Sequence, residues 1–283
     1  MSTLYLVATP IGNLGDLSPR AREVLAAVDF IAAEDTRVTQ KLLTACGLPR
    51  KPLISYYEHN RRARGEEVLA KILAGESCAL VTDAGTPAVS DPGEDLVALC
   101  AAHDVPVIPI PGCCAAVCAL AASGLPTGRW CFEGFLSVNK KARREHLDAL
   151  RDEKRTMIFY EAPHKLCATL RDLAGAFGGA RRISLSRELT KLHEETLRMT
   201  LDEAVAYFDQ TPPRGEFVLI LEGAPDAPAD EQDEQDRLAA AADEVRRRMA
   251  AGETQKDAVK AVSAAAGVKK NALYRYVLET DGA

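Results

Sequence analysis

The sequence predicts an α/β protein made of two consecutive α/β domains and a small helical C-terminal appendage. Two observations support this: short apolar runs alternate with helical periodicity over residues 1–223, and an acidic stretch then precedes further helical segments. The predicted boundaries are 1–123 and 124–223 for the α/β domains, 224–236 for an acidic linker, and 237–283 for a helix-turn-helix-like tail.

In the first predicted domain, Ser18 and Asp91 each precede a proline, which is the pattern of a helix N-cap followed by proline at the first helical position. Strands are predicted at 4–8, 30–34, 78–82 and 107–110, and helices at 21–27, 36–43, 62–73, 96–99 and 113–123. This alternation predicts a mainly parallel sheet that is covered by helices on both faces.

A glycine- and proline-rich linker at 124–128 leads into a second alternating region. Its strands are predicted at 130–135, 156–160, 182–186 and 216–221, with helices near 140–151, 164–176 and 201–208. This region is therefore interpreted as a second α/β unit.

The charge of the chain is unevenly distributed. Residues 226–236 carry six acids and no base, and because the whole chain has a net charge of −6, the remaining residues are neutral overall. Helices are predicted at 237–250, 255–266 and 270–278. The last two resemble a helix-turn-helix, although a helical hairpin that packs only on its own domain fits the spacing equally well. Lys269, Lys270 and Arg275 are placed where they could reach phosphates.

The eight cysteines form no Cys-x-x-Cys pair and are scattered among apolar neighbours, so we interpret them as free thiols in a reducing compartment. The sequence begins without a charged leader and apolar core, and no apolar run approaches a membrane-spanning length. These features predict a soluble cytoplasmic protein that does not bind a membrane.

Three apolar strands run into loops that are rich in glycine and proline, at 9–13, 83–87 and 111–112. Such loops at the carboxyl edge of an α/β sheet are typical of a ligand site. None of them carries Gly-x-Gly-x-x-Gly or Gly-x-x-x-x-Gly-Lys, which argues against NAD and ATP. A compact polar ligand without phosphate is favoured.

The second unit has ionisable loops at strand ends, at 159–165, 186–195 and 212–216, which predict a cleft between the two domains. His164 and His193 are the histidines near these loops, and Glu161 shares a loop with His164. Either histidine could act as a general base, although a histidine beside a helix start is more often a cap. Glu161 and His164 are the candidate catalytic residues. Arg187 and Glu188 are predicted to form an internal ion pair.

Seven motifs run in order along the chain, at 5–16, 33–37, 82–93, 111–112, 160–164, 187–191 and 215–217. Together they resemble the ribosomal-RNA branch of the tetrapyrrole-methylase superfamily. One departure is visible, because Cys113 follows Pro111 and Gly112 where the family usually has proline.

The resemblance implies an S-adenosylmethionine-dependent methyltransferase that modifies the ribose 2′-oxygen of a cytidine in the decoding centre of 16S rRNA. It also implies a homodimer, and a methyl donor bound in the cleft between the two domains. The implied donor-binding residues are Pro10, Asp83, Ala84, Gly85, Thr86, Pro87, Pro111, Gly112, Cys114, Ala115, Tyr160, Glu161, Ala162, Pro213, Gly215 and Glu216.

The chemistry agrees with this resemblance. Methyl transfer needs alignment of the two reactants and removal of a proton from a weakly acidic hydroxyl, and it needs no metal. Asp83, Thr86 and Glu161 are suited to the donor's ammonium or ribose groups. Two alternatives stay open: a tetrapyrrole C-methyltransferase of the same fold, and a non-enzymatic nucleic-acid binder that uses the tail.

Overall fold

The computed structural model describes residues 2–225 and 231–281, without the side chains of residues 231–235 and 281. The chain forms two compact units, of which the first ends at Ala224 and the second begins at Pro225. All eight cysteines are unpaired. No helix in the described ranges has the length and apolar character needed to cross a membrane.

The first sheet has five strands, all parallel, in the order β3-β2-β4-β1-β5. They are β1 (Leu4–Val7), β2 (Phe30–Ala33), β3 (Leu53–Ser55), β4 (Cys78–Val81) and β5 (Val107–Ile110). The predicted parallel sheet is confirmed. Strand β3 was not predicted, because three half-buried residues make too short a run to show a period.

The helices of this region are α1 (Pro19–Ala27), α2 (Thr36–Ala45), α3 (Arg61–Leu73), α4 (Glu94–Ala102) and α5 (Ala115–Ala122). The Ser18 hydroxyl accepts a hydrogen bond from the Ala21 amide at 3.1 Å, so the predicted cap at the start of α1 is confirmed. A short 3₁₀ turn at Leu14–Asp16 precedes α1.

Alternate residues of β2 face opposite sides of the first sheet. Phe30 and Ala32 join a core with α3 and α4, whereas Ile31 and Ala33 join a separate core with α1 and α2. Both faces of the sheet are therefore covered by helices, as predicted.

The second sheet has five strands in the order β6-β7-β10-β8-β9. They are β6 (Trp130–Phe135), β7 (Thr156–Glu161), β8 (Arg182–Arg187), β9 (Glu195–Thr200) and β10 (Phe217–Leu221). Only β6 and β7 pair in parallel, and the other three pairings are antiparallel. Strand β9 was not predicted, although Leu197 and Met199 alternate with polar residues in the strand pattern.

Three helices lie between the strands of the second sheet along the chain: α6 (Lys140–Ala149), α7 (Pro163–Phe177) and α8 (Leu201–Gln210). Side chains of α7 and α8 share a core with one face of the second sheet. Helix α5 covers the other face, through contacts among Ala116, Ala119, Leu120, Ile158, Val218 and Ile220. The predicted domain boundary at 123/124 thus comes just after α5, a helix that packs on the second sheet. Helix α5 therefore joins the two halves of the first unit.

The second unit contains α9 (Glu231–Ala250), α10 (Gln255–Ala266) and α11 (Lys270–Asp281), which enclose a small core of their own. The predicted acidic linker at 224–236 is wrong for residues 231–236, because these already belong to α9. Acidic residues interact favourably with the positive end of a helix dipole, so they can start a helix as well as prevent one. Residues 226–230 lie outside the described residues.

Candidate active site

A cavity of about 490 Å³ lies where loops from both sheets meet. The first sheet contributes residues that follow β1, β4 and β5, and the second contributes the ends of β6, β7 and β8 and the start of β10. The carboxyl edge of a parallel sheet is a usual place for a ligand. The cavity is therefore the candidate active site.

The loop after β4 is joined to the end of β1 by a pair of backbone hydrogen bonds. The Thr9 amide donates to the Gly85 carbonyl at 2.9 Å, and the Gly85 amide donates to the Thr9 carbonyl at 3.0 Å. Gly85 has a φ of +90°, which residues with a side chain rarely adopt. Gly85 lines the cavity, and its amide hydrogen is already used within the protein.

The loop after β5 is held against the same two segments. The Thr86 hydroxyl donates to the Cys113 carbonyl at 2.8 Å. A Cβ added to Gly112 would lie only 2.7 Å from the Cβ of Ala8 at the end of β1, so glycine permits this close approach. The three glycine- and proline-rich loops singled out in the sequence are thus tied together.

Carboxylates gather beside these loops. The Asp83 amide donates to Glu34 at 3.2 Å, and the Asp35 amide donates to the Asp83 carboxylate at 3.1 Å. Burial raises the pKa values of Glu34, Asp83 and Asp91, whereas hydrogen bonds from Arg37 lower the pKa of Asp35 to about 2. Asp91 is the member of this group that lines the cavity.

Tyr160 forms part of the aromatic wall of the cavity. Its ring makes edge-to-face contacts with Phe132 and Phe135, with centroids 5.1 and 5.6 Å away. Its hydroxyl oxygen accepts a hydrogen bond from the Ala116 amide at 3.1 Å, which attaches β7 to the first turn of α5. Burial raises the pKa of Tyr160 to about 12, so the phenol stays protonated near neutral pH.

Glu161 is buried, with only 4% of its surface exposed. One of its oxygens accepts from the Ala162 amide at 2.8 Å, and the other accepts a short hydrogen bond from the Thr169 hydroxyl. Arg143 in turn donates to the Thr169 hydroxyl at 2.9 Å. Both oxygens of Glu161 therefore hold the start of α7 in place, at the edge of the cavity.

His164 differs from Glu161 in its surroundings, although both line the cavity. It lies in the first turn of α7 with an exposed side chain. The hydrogen bonds among the described residues include none from its ring, so both ring nitrogens face the cavity or solvent without a competing partner. His193, the other histidine considered in the sequence, is exposed and does not line the cavity.

An ion-paired group completes the wall on the second-sheet side. Lys191 donates to Glu188 at 3.0 Å and lies 3.4 Å from Glu216. The hydrogen bond from Lys191 lowers the pKa of Glu188. Burial alone would lower the pKa of Lys191, but its hydrogen bond to Glu188 and the two carboxylate charges raise it overall.

The predicted Arg187–Glu188 ion pair is wrong. Arg187 instead donates to Glu195 on the neighbouring strand at 2.6 Å, while Glu188 faces Lys191. Strand β8 ends at Arg187, and Glu188 has a φ of +52°, so the backbone turns there and the two side chains face different partners. Gly215 packs against Glu188 so closely that a Cβ there would overlap the carboxylate.

The predicted site residues divide into two groups. Those that line the cavity are Ala84, Gly85, Thr86, Cys114, Ala115, Tyr160, Glu161, Ala162, His164 and Glu216. Those that do not are Pro10, Asp83, Pro87, Pro111, Gly112, Pro213 and Gly215, which belong to the loops that shape it.

Several lining residues were not predicted to belong to the donor site: Ile11, Val89, Ser90, Asp91, Phe135, Pro163, Glu188, Leu189, Lys191, Phe217 and Val218. Some of them lie inside the motifs already singled out, so extending each motif to its whole loop would have included them. Phe135 lies outside those motifs. It is the last residue of β6, and nothing in the sequence of that strand indicates a ligand site.

The cavity combines apolar and aromatic walls with carboxylates, one histidine and one paired lysine. Across residues 2–225 and 231–281, no cluster of three or more histidine, cysteine or acidic side chains has the arrangement of a metal site. The arrangement can hold an organic cation and place a proton acceptor beside it.

A family model described as "Tetrapyrrole (Corrin/Porphyrin) Methylases" matches residues 3–205. A protein of Synechocystis sp. named ribosomal RNA small subunit methyltransferase I is 49% identical over 282 residues, which cover 99% of each chain. The protein of the same name from Escherichia coli O157:H7 is 45% identical over 288 residues, covering 99% of this chain and 96% of the relative.

Solved structures show the same fold at low identity. Uroporphyrin-III-C-methyltransferase from Thermus thermophilus is similar with a TM-score of 0.56 and 18% identity, covering 78% of this chain and 94% of that one. A structure of this enzyme complexed with S-adenosyl homocysteine has a TM-score of 0.51 and 19% identity, covering 78% and 97% of the two chains.

Proposed function

Because this chain belongs to the tetrapyrrole methylase family, we propose that it transfers the methyl group of S-adenosylmethionine to small-subunit ribosomal RNA. The acceptor is the ribose 2′-oxygen of a cytidine in the decoding centre of 16S rRNA. The observation that carries this proposal is the similarity to ribosomal RNA methyltransferases along nearly the whole chain, tail included. The uroporphyrin-III-C-methyltransferase structure, by contrast, covers 78% of this chain at 18% identity, which supports only a shared fold.

The chemistry of the cavity fits the methyl donor. The donor carries a positive sulfonium and an aromatic base, and it has no phosphate. Phe135 and Tyr160 offer aromatic surface for the base, while Asp91 and Glu161 place negative charge in the wall. Its volume of about 490 Å³ lies within the usual range for small-molecule sites, roughly 300–1,000 Å³.

When bound, S-adenosylmethionine supplies a methyl group on a positively charged sulfur. The protein's own part is to hold the acceptor ribose in line with that group and to exclude water, which accounts for much of the rate in reactions of this kind. The tied loops around Gly85, Thr86 and Gly112 provide a rigid floor for this alignment.

His164 is the residue proposed to take the proton of the ribose hydroxyl. Its ring is exposed to the cavity and has no competing partner among the described residues. Glu161 is assigned a positioning role instead, since both of its oxygens already accept hydrogen bonds from Ala162 and Thr169.

The protein is further proposed to be a cytoplasmic homodimer. Two large apolar side chains in the second half of the first unit support the dimer, because Leu192 is 93% and Val138 79% exposed. Equilibrium sedimentation at micromolar concentration tests this assignment, and a single species of monomer mass at all concentrations would refute it.

The function is tested by methyl transfer from labelled S-adenosylmethionine to small ribosomal subunits and to free 16S rRNA, with mass mapping of the product. We expect one 2′-O-methylated cytidine. A methylated tetrapyrrole carbon, or a methylated base in place of ribose, would refute the proposal.

Donor binding in the cavity is tested separately by calorimetry. Ala115→Leu enlarges a lining side chain and should weaken S-adenosylmethionine binding by at least about 10-fold. Ala168→Leu makes the same change at an exposed position of α7 and is the matched control. Equal donor affinity in the two variants would place the donor elsewhere.

A further inference from the structure

A second cavity lies in the helical tail, apart from the one described above. Its volume is about 590 Å³, and it is lined by α10 and α11 through Lys256, Lys270, Asn271, Tyr274, Arg275 and Leu278. No carboxylate is among these lining residues. The tail therefore carries a groove whose charged side chains are all positive.

The cations of this groove have no partner among the described residues. Lys256, Lys270 and Arg275 form no ion pair or side-chain hydrogen bond there. The basic residues of α9 are different, since Arg247 and Arg248 lie 2.8 and 3.1 Å from Glu244. The positive charge of α9 is thus balanced locally, whereas that of the groove is available to a ligand.

An aromatic ring lies among these cations. Tyr274 is 40% exposed, although its neighbour Leu273 is fully buried in the core of the tail. Lys270, Tyr274 and Leu278 follow one another at intervals of four along α11, so they share one face of the helix. The cations and the ring therefore present a single surface.

We propose that this groove binds a single-stranded segment of RNA. Lys256, Lys270 and Arg275 contact phosphates, and one unpaired base stacks on Tyr274. A single strand is favoured over a duplex because a base inside a duplex hides the face that Tyr274 needs. The identification of the polyanion as RNA rests on the function proposed above. The positive charge and the stacking surface of the groove are observed independently of that function.

The test uses the full-length chain and a twelve-nucleotide single-stranded RNA from the small-subunit sequence, with binding followed by fluorescence anisotropy at several salt concentrations. Arg275→Gln should lower the slope of log affinity against log salt by about 0.7, the value for one phosphate contact on a single strand. Adding Lys270→Gln should lower the slope by about the same amount again. Arg247→Gln is the matched control, because it removes the same charge from an ion-paired position of the tail and should leave the slope unchanged.

Stacking is tested separately from charge. Tyr274→Ala should weaken binding about 10-fold at every salt concentration without changing the slope, as expected for one stacked base. Tyr274→Phe keeps the ring and should bind as the natural protein does. Circular dichroism at 222 nm checks that each variant keeps its helices.

The groove assignment is overturned if Arg275→Gln and Arg247→Gln have equal slopes, or if Tyr274→Ala binds normally. Equal affinity for a duplex of the same sequence would also overturn it, and would point to a duplex reader. Methyl transfer to small subunits is measured in parallel. If the natural protein methylates RNA while the groove variants keep normal slopes, only the groove proposal fails; if it methylates nothing but the slopes change, only the proposed function fails.

Discussion

Replacement of Gly112 by alanine perturbs the point where two of the site's loops approach most closely. The new Cβ would lie 2.7 Å from the Cβ of Ala8, whereas carbon atoms in contact prefer about 3.5–4.0 Å. Ala8 is 4% exposed and follows directly on β1, so it has little room to move. The loop after β5 must therefore shift by about 1 Å.

Such a shift has two consequences. Overpacking of a close contact costs about 1–3 kcal/mol of the free energy of unfolding. The displaced loop also carries the Cys113 carbonyl, which accepts from Thr86 at 2.8 Å, and Cys114 and Ala115, which line the cavity. A misplacement of about 1 Å at a reacting centre can lower the rate about 10²-fold.

The assay combines urea unfolding, calorimetric titration with S-adenosylmethionine, and methyl transfer to small ribosomal subunits. Gly175→Ala is the matched control, because a Cβ at that position of α7 meets no atom within 4 Å. This control should be more stable than the natural protein by up to about 1 kcal/mol, since alanine favours a helix over glycine. Its donor affinity should be unchanged.

The expected result for Gly112→Ala is lower stability together with weaker donor binding. Normal donor affinity in a variant that is destabilised as predicted would show that the loop after β5 does not form the donor site. Normal stability would contradict the packing argument itself.

Three further outcomes are expected. His164→Ala should lower turnover at saturating donor and RNA by about 10²–10⁴-fold, whereas Glu161→Gln should act mainly on stability; the reverse pattern in steady-state rates would exchange their roles. The lowered pKa of Glu188 means that its pair with Lys191 stabilises the fold above the ordinary glutamate pKa and stops doing so as pH falls through the lowered value. Glu188→Gln should therefore cost less than about 1 kcal/mol at pH 7 and progressively less as pH falls below the ordinary glutamate pKa, and a cost in urea unfolding that does not decline with pH would contradict this. A chain that ends at Ala224 should bind S-adenosylmethionine within 2-fold of the full chain (about 0.4 kcal/mol), but should lose RNA affinity and salt dependence in anisotropy titrations.

Much of the candidate site could be predicted from residues that share a loop. The turn at Asp83–Pro87 and the segment at Tyr160–Ala162 are local patterns, and members of both line the cavity. The pairing of Lys191 with Glu188 and Glu216 was not predicted, since it depends on where the loop after β8 turns relative to β10. Nor did the sequence separate Glu161 from His164, because their difference is that Thr169 of α7 donates to Glu161, whereas His164 has no side-chain partner among the described residues.

The sequence by itself determined the local elements of this protein. The alternation of β2 side chains between the two faces of the sheet and the Ser18 cap of α1 follow from side-chain period and backbone preference, which neighbouring residues decide. Only the tertiary structure decided that the second sheet is mostly antiparallel and that α5 packs on it. Strand direction and helix docking depend on contacts between segments far apart in the chain, and many arrangements satisfy the same local pattern. The cavity lies where α5 joins the two sheets, so its composition could be read only once that docking was known.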